Sequence, residues 1–187
     1  AVLLGGAGFV LLNLLLILGH DLLVQWPALR GEDIQVEGAQ RLSPERVLEQ
    51  AGIIRGDNLL KVNLGLARKR LLAHPWIAEA EIRREIPSRI RVRIREEVCL
   101  AVVDLGTRFL VNAEGGVFKE LQPDDLVDAP VVTGLEVTDL GVDPGAASPL
   151  GQAALDLLRL AAAPAAALPL ARIDRVHADR EMGLVVH

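Results

Sequence analysis

The chain of 187 residues has no tyrosine, and only 3% of its residues are aromatic. Surfaces that stack nucleobases are built from such rings. A net charge of −5 also lacks the polycation signature that phosphate backbones select. Nucleic acid is therefore excluded as a partner. One cysteine, Cys99, rules out an internal disulfide. Set between Val98 and Leu100, it reads as an inert, packed thiol. The four histidines, His20, His74, His177 and His187, stand singly, with no metal-ligand spacing to one another or to Cys99. No nucleophile elbow, P-loop or Gly-x-Gly-x-x-Gly occurs, and Gly115-Gly116 is an ordinary turn pair. The carboxylate pairs Glu96-Glu97 and Asp124-Asp125 fall on expected surface, with no apolar pocket to raise a pKa. No catalytic residue, metal or cofactor is expected, and a binding role remains.

What the chain does have is apolar residues, 51% of the total. Residues 1–18 carry no charge. As a helix they would reach roughly 27 Å, just short of a ~30 Å hydrocarbon core. Extension past His20 and Asp21 to Val24 would complete a transmembrane anchor over residues 1–24, with Trp26 where an interfacial aromatic belongs. The competing reading, a cleaved signal peptide, calls for a shorter apolar region and a small-x-small site; Ala28-Leu29-Arg30 is a poor one. Gly5, Gly6 and Gly8 with Asn13 suit close helix–helix contact, or are merely tolerated in lipid. The sequence begins at Ala1 and stops within an apolar alternation, Val185-Val186-His187. It is expected to be a fragment at both ends.

Residues 74–97 dominate the rest. Ala78, Ala80, Ile82 and Ile86 fall on one face of a strand, and Glu79, Glu81, Arg83 and Glu85 on the other. Ile90, Val92 and Ile94 then alternate with Arg89, Arg91, Arg93 and Arg95. This period predicts a half-buried hairpin with Pro87-Ser88 at its corner, and a two-stranded ribbon needs a cover. Residues 32–38 predict a short strand with Ile34 and Val36 inward. Ser43-Pro44-Glu45 opens a helix bearing Val47, Leu48 and Ala51, which Gly52 ends. Arg55-Gly56-Asp57-Asn58 is a turn. Asn63 caps a second helix with Leu64, Ala67, Leu71 and Leu72 inward and Arg68, Lys69 and Arg70 in solvent. His74-Pro75 stops it. The predicted order is β-α-α-β-β. The arginine stripe is either a positive ribbon for anionic partners or a face neutralised by Glu79, Glu81 and Glu85.

After Ala101 the pattern changes to short strands, at Val102-Val103, Phe109-Leu110-Val111 and Val117-Phe118. Residues 104–107 and 112–116 form corners, and residues 122–130 and 138–149 surface loops. Ser148-Pro149 starts an amphipathic helix with Leu150, Ala154, Leu157, Leu158 and Ala161 on one face, ended by Pro164. Residues 161–170 read as a frayed helix end or a linker. Met182, Leu184 and Val186 predict a final strand whose pairing partner should lie beyond the chain's end.

Several motifs in this order carry a resemblance. Ile34-x-Val36-x-Gly38, Leu42-Ser43, Gly56-x-Asn58-Leu59-Leu60, His74-Pro75-Trp76-Ile77-x-x-Ala80 and Arg83-Arg84-x-x-Pro87 resemble a POTRA domain, more narrowly that of the FtsQ family of bacterial cell-division proteins (DivIB in Gram-positives). Glu96 and Ala101 fit the family's exit from that module, although Cys99 stands where Pro is usual. Val111-Asn112-x-x-Gly115-Gly116-Val117-Phe118 and Pro130-Val131-Val132-Thr133-Gly134 fit the start of its second, β-rich domain.

The resemblance implies an α+β architecture: an anchor at residues 1–24, a POTRA domain at 29–98, and a C-terminally truncated β domain at 99–187. It implies a non-catalytic divisome scaffold of the bacterial inner membrane, single-pass, with its bulk in the periplasm at the division septum. The implied partners are FtsB and FtsL, bound by β-strand addition, then FtsK, FtsW and FtsI, and membrane lipid through residues 1–24. The implied partner-binding edge lies beyond His187, so no partner-contact residue is carried over. Gly38 and Gly56 are expected to permit turn geometry, Trp76 to fill a seam between helix and sheet, and Pro87 to fix the hairpin corner. Two other classes stay open: a POTRA-bearing component of outer-membrane protein assembly or secretion, and a tethered enzyme whose catalytic part is missing.

Overall fold

The computed structural model describes residues 33–56, 61–85, 89–140 and 147–187. The expected anchor over 1–24 lies outside these residues, as do Asn58, Leu59 and Pro87. Among the described residues no helix is long and apolar enough to cross a membrane. The chain divides into two units, Ala1–Glu96 and Glu97–His187, both mixed α+β.

In the first unit, β1 (Asp33–Glu37) leads to α1 (Pro44–Ala51) and α2 (Leu64–Leu72), then to β2 (Ile77–Glu85) and β3 (Arg89–Glu96). The Ser43 hydroxyl accepts the Arg46 N–H at the start of α1, and Gly52 ends that helix at φ +68°. The Asn63 side chain accepts the Leu66 N–H at the start of α2. Strand order is β1-β3-β2; β3 is central, antiparallel to β2 and parallel to β1. A parallel pair needs a crossover, and the two helices supply it. Val47, Ala51 and Leu71 on the helices meet Ile34, Ile90 and Val92 on the sheet in one core.

Three residues depart from the predicted pattern. A bulge between Ile77 and Glu79 brings Ile77 inward with Ala80 and leaves Ala78 only half-buried. An extra residue in one strand breaks strict alternation. Leu72 is exposed, at the last position of α2. Arg68 stays exposed as expected, while its Nε donates to the Ala80 carbonyl at 2.9 Å.

The second unit holds β4 (Cys99–Asp104), β5 (Arg108–Asn112), β6 (Val117–Glu120), β7 (Val131–Thr133), α3 (Pro149–Ala161), β8 (Arg175–Asp179) and β9 (Gly183–Val186). They form one sheet in the order β6-β5-β4-β7-β8-β9. Helix α3 packs Ala154, Leu155 and Leu158 onto Val103, Val132 and Val176. Leu155 is part of this core, whereas the expected Leu157 is only partly buried.

The final strand does not wait for a partner beyond the chain. β9 pairs antiparallel with β8, Val186 opposite Val176 and Gly183 opposite Asp179. α3 stops at Ala161, so residues 161–170 are not a frayed helix end; they connect onward through a turn in which the Ala166 N–H donates to the Ala163 carbonyl. Cys99 is half-buried rather than core, its thiol donating to the Ala101 carbonyl at 3.3 Å. The 138–149 segment contains a buried carboxylate, Asp139, 3% exposed.

Candidate functional site

The residues expected to matter gather at several places. One is the end of the first unit where β3 finishes. There Ile77 lies opposite Glu96. The Glu96 carboxylate accepts two backbone N–H groups, Arg41 at 2.8 Å and Leu42 at 2.9 Å. It thereby holds the segment entering α1 against the end of the central strand, and Ser43 follows directly as cap. Gly38 sits beside it at φ +85°, so close that a Cβ would be driven into the Ile94 carbonyl oxygen. Only glycine tolerates both the left-handed backbone and the contact.

Across this end, the His74 ring accepts the Trp76 N–H through Nδ1 at 3.2 Å, and the His74 carbonyl accepts the Ile77 N–H at 3.0 Å. Pro75 between them is exposed. Trp76 is 6% exposed, and the Arg41 guanidinium carbon stands 3.8 Å from its ring centroid, a cation–π contact. Glu96, Arg41 and Trp76 thus form one lock between loop, sheet and helix end. The sequence places Trp76 in a seam but does not reveal the arginine above it or the pair of hydrogen bonds accepted by Glu96. A carboxylate 54 and 55 residues from its donors leaves no local signal.

At the opposite end Arg84 donates to the Val62 carbonyl at 2.9 Å, and Gly56 turns at φ +88°. In the second unit Ala101 is fully buried, and the Pro130 carbonyl accepts the Val102 N–H at 2.9 Å. Gly134 adopts φ +84° where a Cβ would strike the Ala178 carbonyl oxygen. In the Gly115-Gly116 pair it is Gly115 that is left-handed, at φ +88°; Gly116 exchanges bonds with Asn112.

The arginine stripe is neutralised from both sides. On β2, Glu79 pairs with Arg95, and Glu85 with Arg89 and Arg91. On β1, Asp33 pairs with Arg89 at 2.6 Å, and Glu37 with Arg91 and Arg93. The hydrogen bond from Arg95 lowers the Glu79 pKa, and that to Asp33 raises the Arg89 pKa. Because β3 is central, its charges meet carboxylates on two neighbours. The face is zwitterionic, not a positive ribbon.

In the second unit the sheet ends on β9, whose four residues are all half-buried. Beside it an open apolar groove of about 680 Å³ is lined by Leu157, Leu160, Ala161, Leu168, Ile173 and Leu184. Leu160 is 72% exposed. Among the described residues, no group of three His, Cys, Asp or Glu side chains could hold a metal.

Residues 29–97 match the family model described as POTRA domain, FtsQ-type. The chain is 37% identical over 156 residues to the cell division protein FtsQ of Anaeromyxobacter sp. (strain K), covering 83% of this chain and 52% of that protein. It is 33% identical over 125 residues to FtsQ of Geobacter sp. (strain M21), covering 67% and 46%. The cell division protein DivIB of Geobacillus kaustophilus (strain HTA426) matches at 32% over 103 residues, covering 54% and 40%. The chain spans about half the length of the curated relatives it matches.

Proposed function

The chain belongs to the FtsQ/DivIB family of bacterial cell-division proteins, and on that premise we propose that it acts as a non-catalytic docking scaffold of the divisome. In this reading residues 1–24 anchor it as a single pass in the inner membrane. The POTRA unit recruits it to the septum, and the β-rich unit binds FtsB and FtsL on the periplasmic side. FtsK, FtsW and FtsI stand as further partners. The carrying observation is an FtsQ-type POTRA module joined in one chain to an open sheet.

Strand addition explains how such a sheet would grip a partner. An edge strand offers a row of unpaired N–H and C=O groups. An extended segment laid along it gains main-chain hydrogen bonds, and side-chain pockets supply specificity. The β9 side is the favoured side, because an exposed apolar groove runs next to it. No individual residue of this chain is assigned to the partner contact.

Immunoprecipitation of the native protein from solubilised membranes tests this reading. FtsB and FtsL are expected to co-purify with it. Their absence, with the protein itself intact and recovered, would contradict the reading.

A further inference from the structure

The two units carry opposite charge. Residues 33–96 hold 13 Lys and Arg against 9 Asp and Glu, whereas residues 97–187 hold 6 against 14. The positive excess of the first unit is not on its arginine stripe, where every cation is paired. Among the described cations of the first unit, Arg55, Lys61, Lys69 and Arg70 are in no ion pair, and Arg68 and Arg84 meet backbone carbonyls instead of carboxylates; Arg55, Lys61 and Arg70 lie near one another. Arg55 and Lys61 lie in the connection between α1 and α2. The Arg70 guanidinium lies against Gly52, at the end of α1, where a Cβ would collide with it.

Topology fixes the end of the module to which this cluster belongs. Asp33 opens β1 opposite Arg89, and Arg89 also faces Glu85 at the close of β2. Arg84 ties that end to the α1–α2 connection through the Val62 carbonyl. The three cations therefore sit at the end where the chain enters the module, away from the Glu96 lock. The same connection contains Ile54, 69% exposed, next to Ile53, which is 4% exposed. Lys61 and Arg70 also border an open depression of about 300 Å³ whose floor includes Val62, Leu66 and Ala67.

Only eight residues separate Val24 from Asp33, a connector that spans at most about 30 Å when fully extended. An exposed apolar side chain among unpaired cations, held this close to an anchor, has the composition of an interfacial contact: the apolar group enters the headgroup boundary while the cations meet phosphate.

We propose that this end of the POTRA unit, through Ile54, Arg55, Lys61 and Arg70, rests on the anionic phospholipid surface next to the anchor. The proposal depends on the anchor reading above. It gives the module a fixed tilt on the membrane and leaves the Glu96 end pointing away from it.

The test uses the whole chain in a Cys99→Ser background, reconstituted in vesicles. A nitroxide is placed at Ile54→Cys or, as a control, at exposed Ala73→Cys at the far end of α2. With phosphatidylglycerol present, the label at residue 54 is expected to read interfacial depth and the label at 73 bulk water. In phosphatidylcholine alone both should read water. Arg55→Gln and Lys61→Gln should each lower the lipid-contacting fraction's equilibrium constant about fivefold, and high salt should do the same. If the chain floats with phosphatidylcholine vesicles yet residue 54 stays as wet as residue 73 on phosphatidylglycerol, the contact is refuted while the anchor stands. Failure to float with neutral vesicles refutes the anchor and this proposal with it. Protection of residue 54 that requires an added acidic protein instead of lipid overturns the proposal in favour of a protein partner.

Discussion

Glu96 illustrates how a surface carboxylate can organise a fold. It binds two N–H groups ahead of α1, and unmade hydrogen bonds to a charged group cost more than neutral ones. Glu96→Ala is expected to destabilise the first unit by about 1–2 kcal/mol in urea unfolding. Glu96→Gln, which keeps one acceptor oxygen, should cost less. Trp76→Ala should cost about 3–5 kcal/mol; a loss under about 1 kcal/mol would mean that the ring's burial does not support the core. Asp139 is the residue whose effect depends on pH. Its pKa is lowered by the Ser148 hydroxyl first and the Glu136 N–H next. A depressed carboxylate stabilises above its unfolded pKa, about 3.9, and loses that contribution as pH falls through the lower folded value. The stability gap between wild type and Asp139→Asn should therefore be full at pH 7 and close progressively below about pH 4. A gap that stays constant across that range would remove the carboxylate's charge from the explanation. Nothing in the sequence marked Asp139, because it lies in a polar segment that reads as loop.

At the scale of elements, the alternation that is regular in β3 and interrupted only by the bulge in β2 made the ribbon readable, and Ser43-Pro44, Gly52 and Asn63 made both helices readable. Local chemistry sets caps and periods, so local sequence reports them. What depended on distant pairing was not readable. β1 contributes Asp33 and Glu37 to the arginine stripe from 56 residues away. β8 went unseen because its apolar face is only Val176 and Ala178, with Arg175, His177 and Asp179 on the other face, and so the partner of the last strand was sought in the wrong place. The ion pairs of the stripe are partly exposed, and such pairs contribute about 0–1 kcal/mol each. Arg93→Ala is accordingly expected to lower stability by less than about 1 kcal/mol, with the effect shrinking further in high salt. A loss of several kcal/mol would mean the stripe acts as a coupled network.

For the whole molecule, the family resemblance carried by His74-Pro75-Trp76-Ile77 and Arg83-Arg84 agrees with the matches to FtsQ and DivIB proteins. The unpaired cations at the entry end of the first unit add something the motifs do not encode, because they depend on which cations the fold pairs and which it leaves unpaired. The central claim is that the POTRA unit brings a docking surface to the division site. Fluorescence microscopy of the native protein in dividing cells tests it most directly, alongside a variant whose residues 29–97 are replaced by a flexible linker. A midcell band that disappears in the variant, with the variant still in the membrane fraction, is the expected result. An even signal around the envelope for the native protein, or a band that persists without the module, would contradict the account.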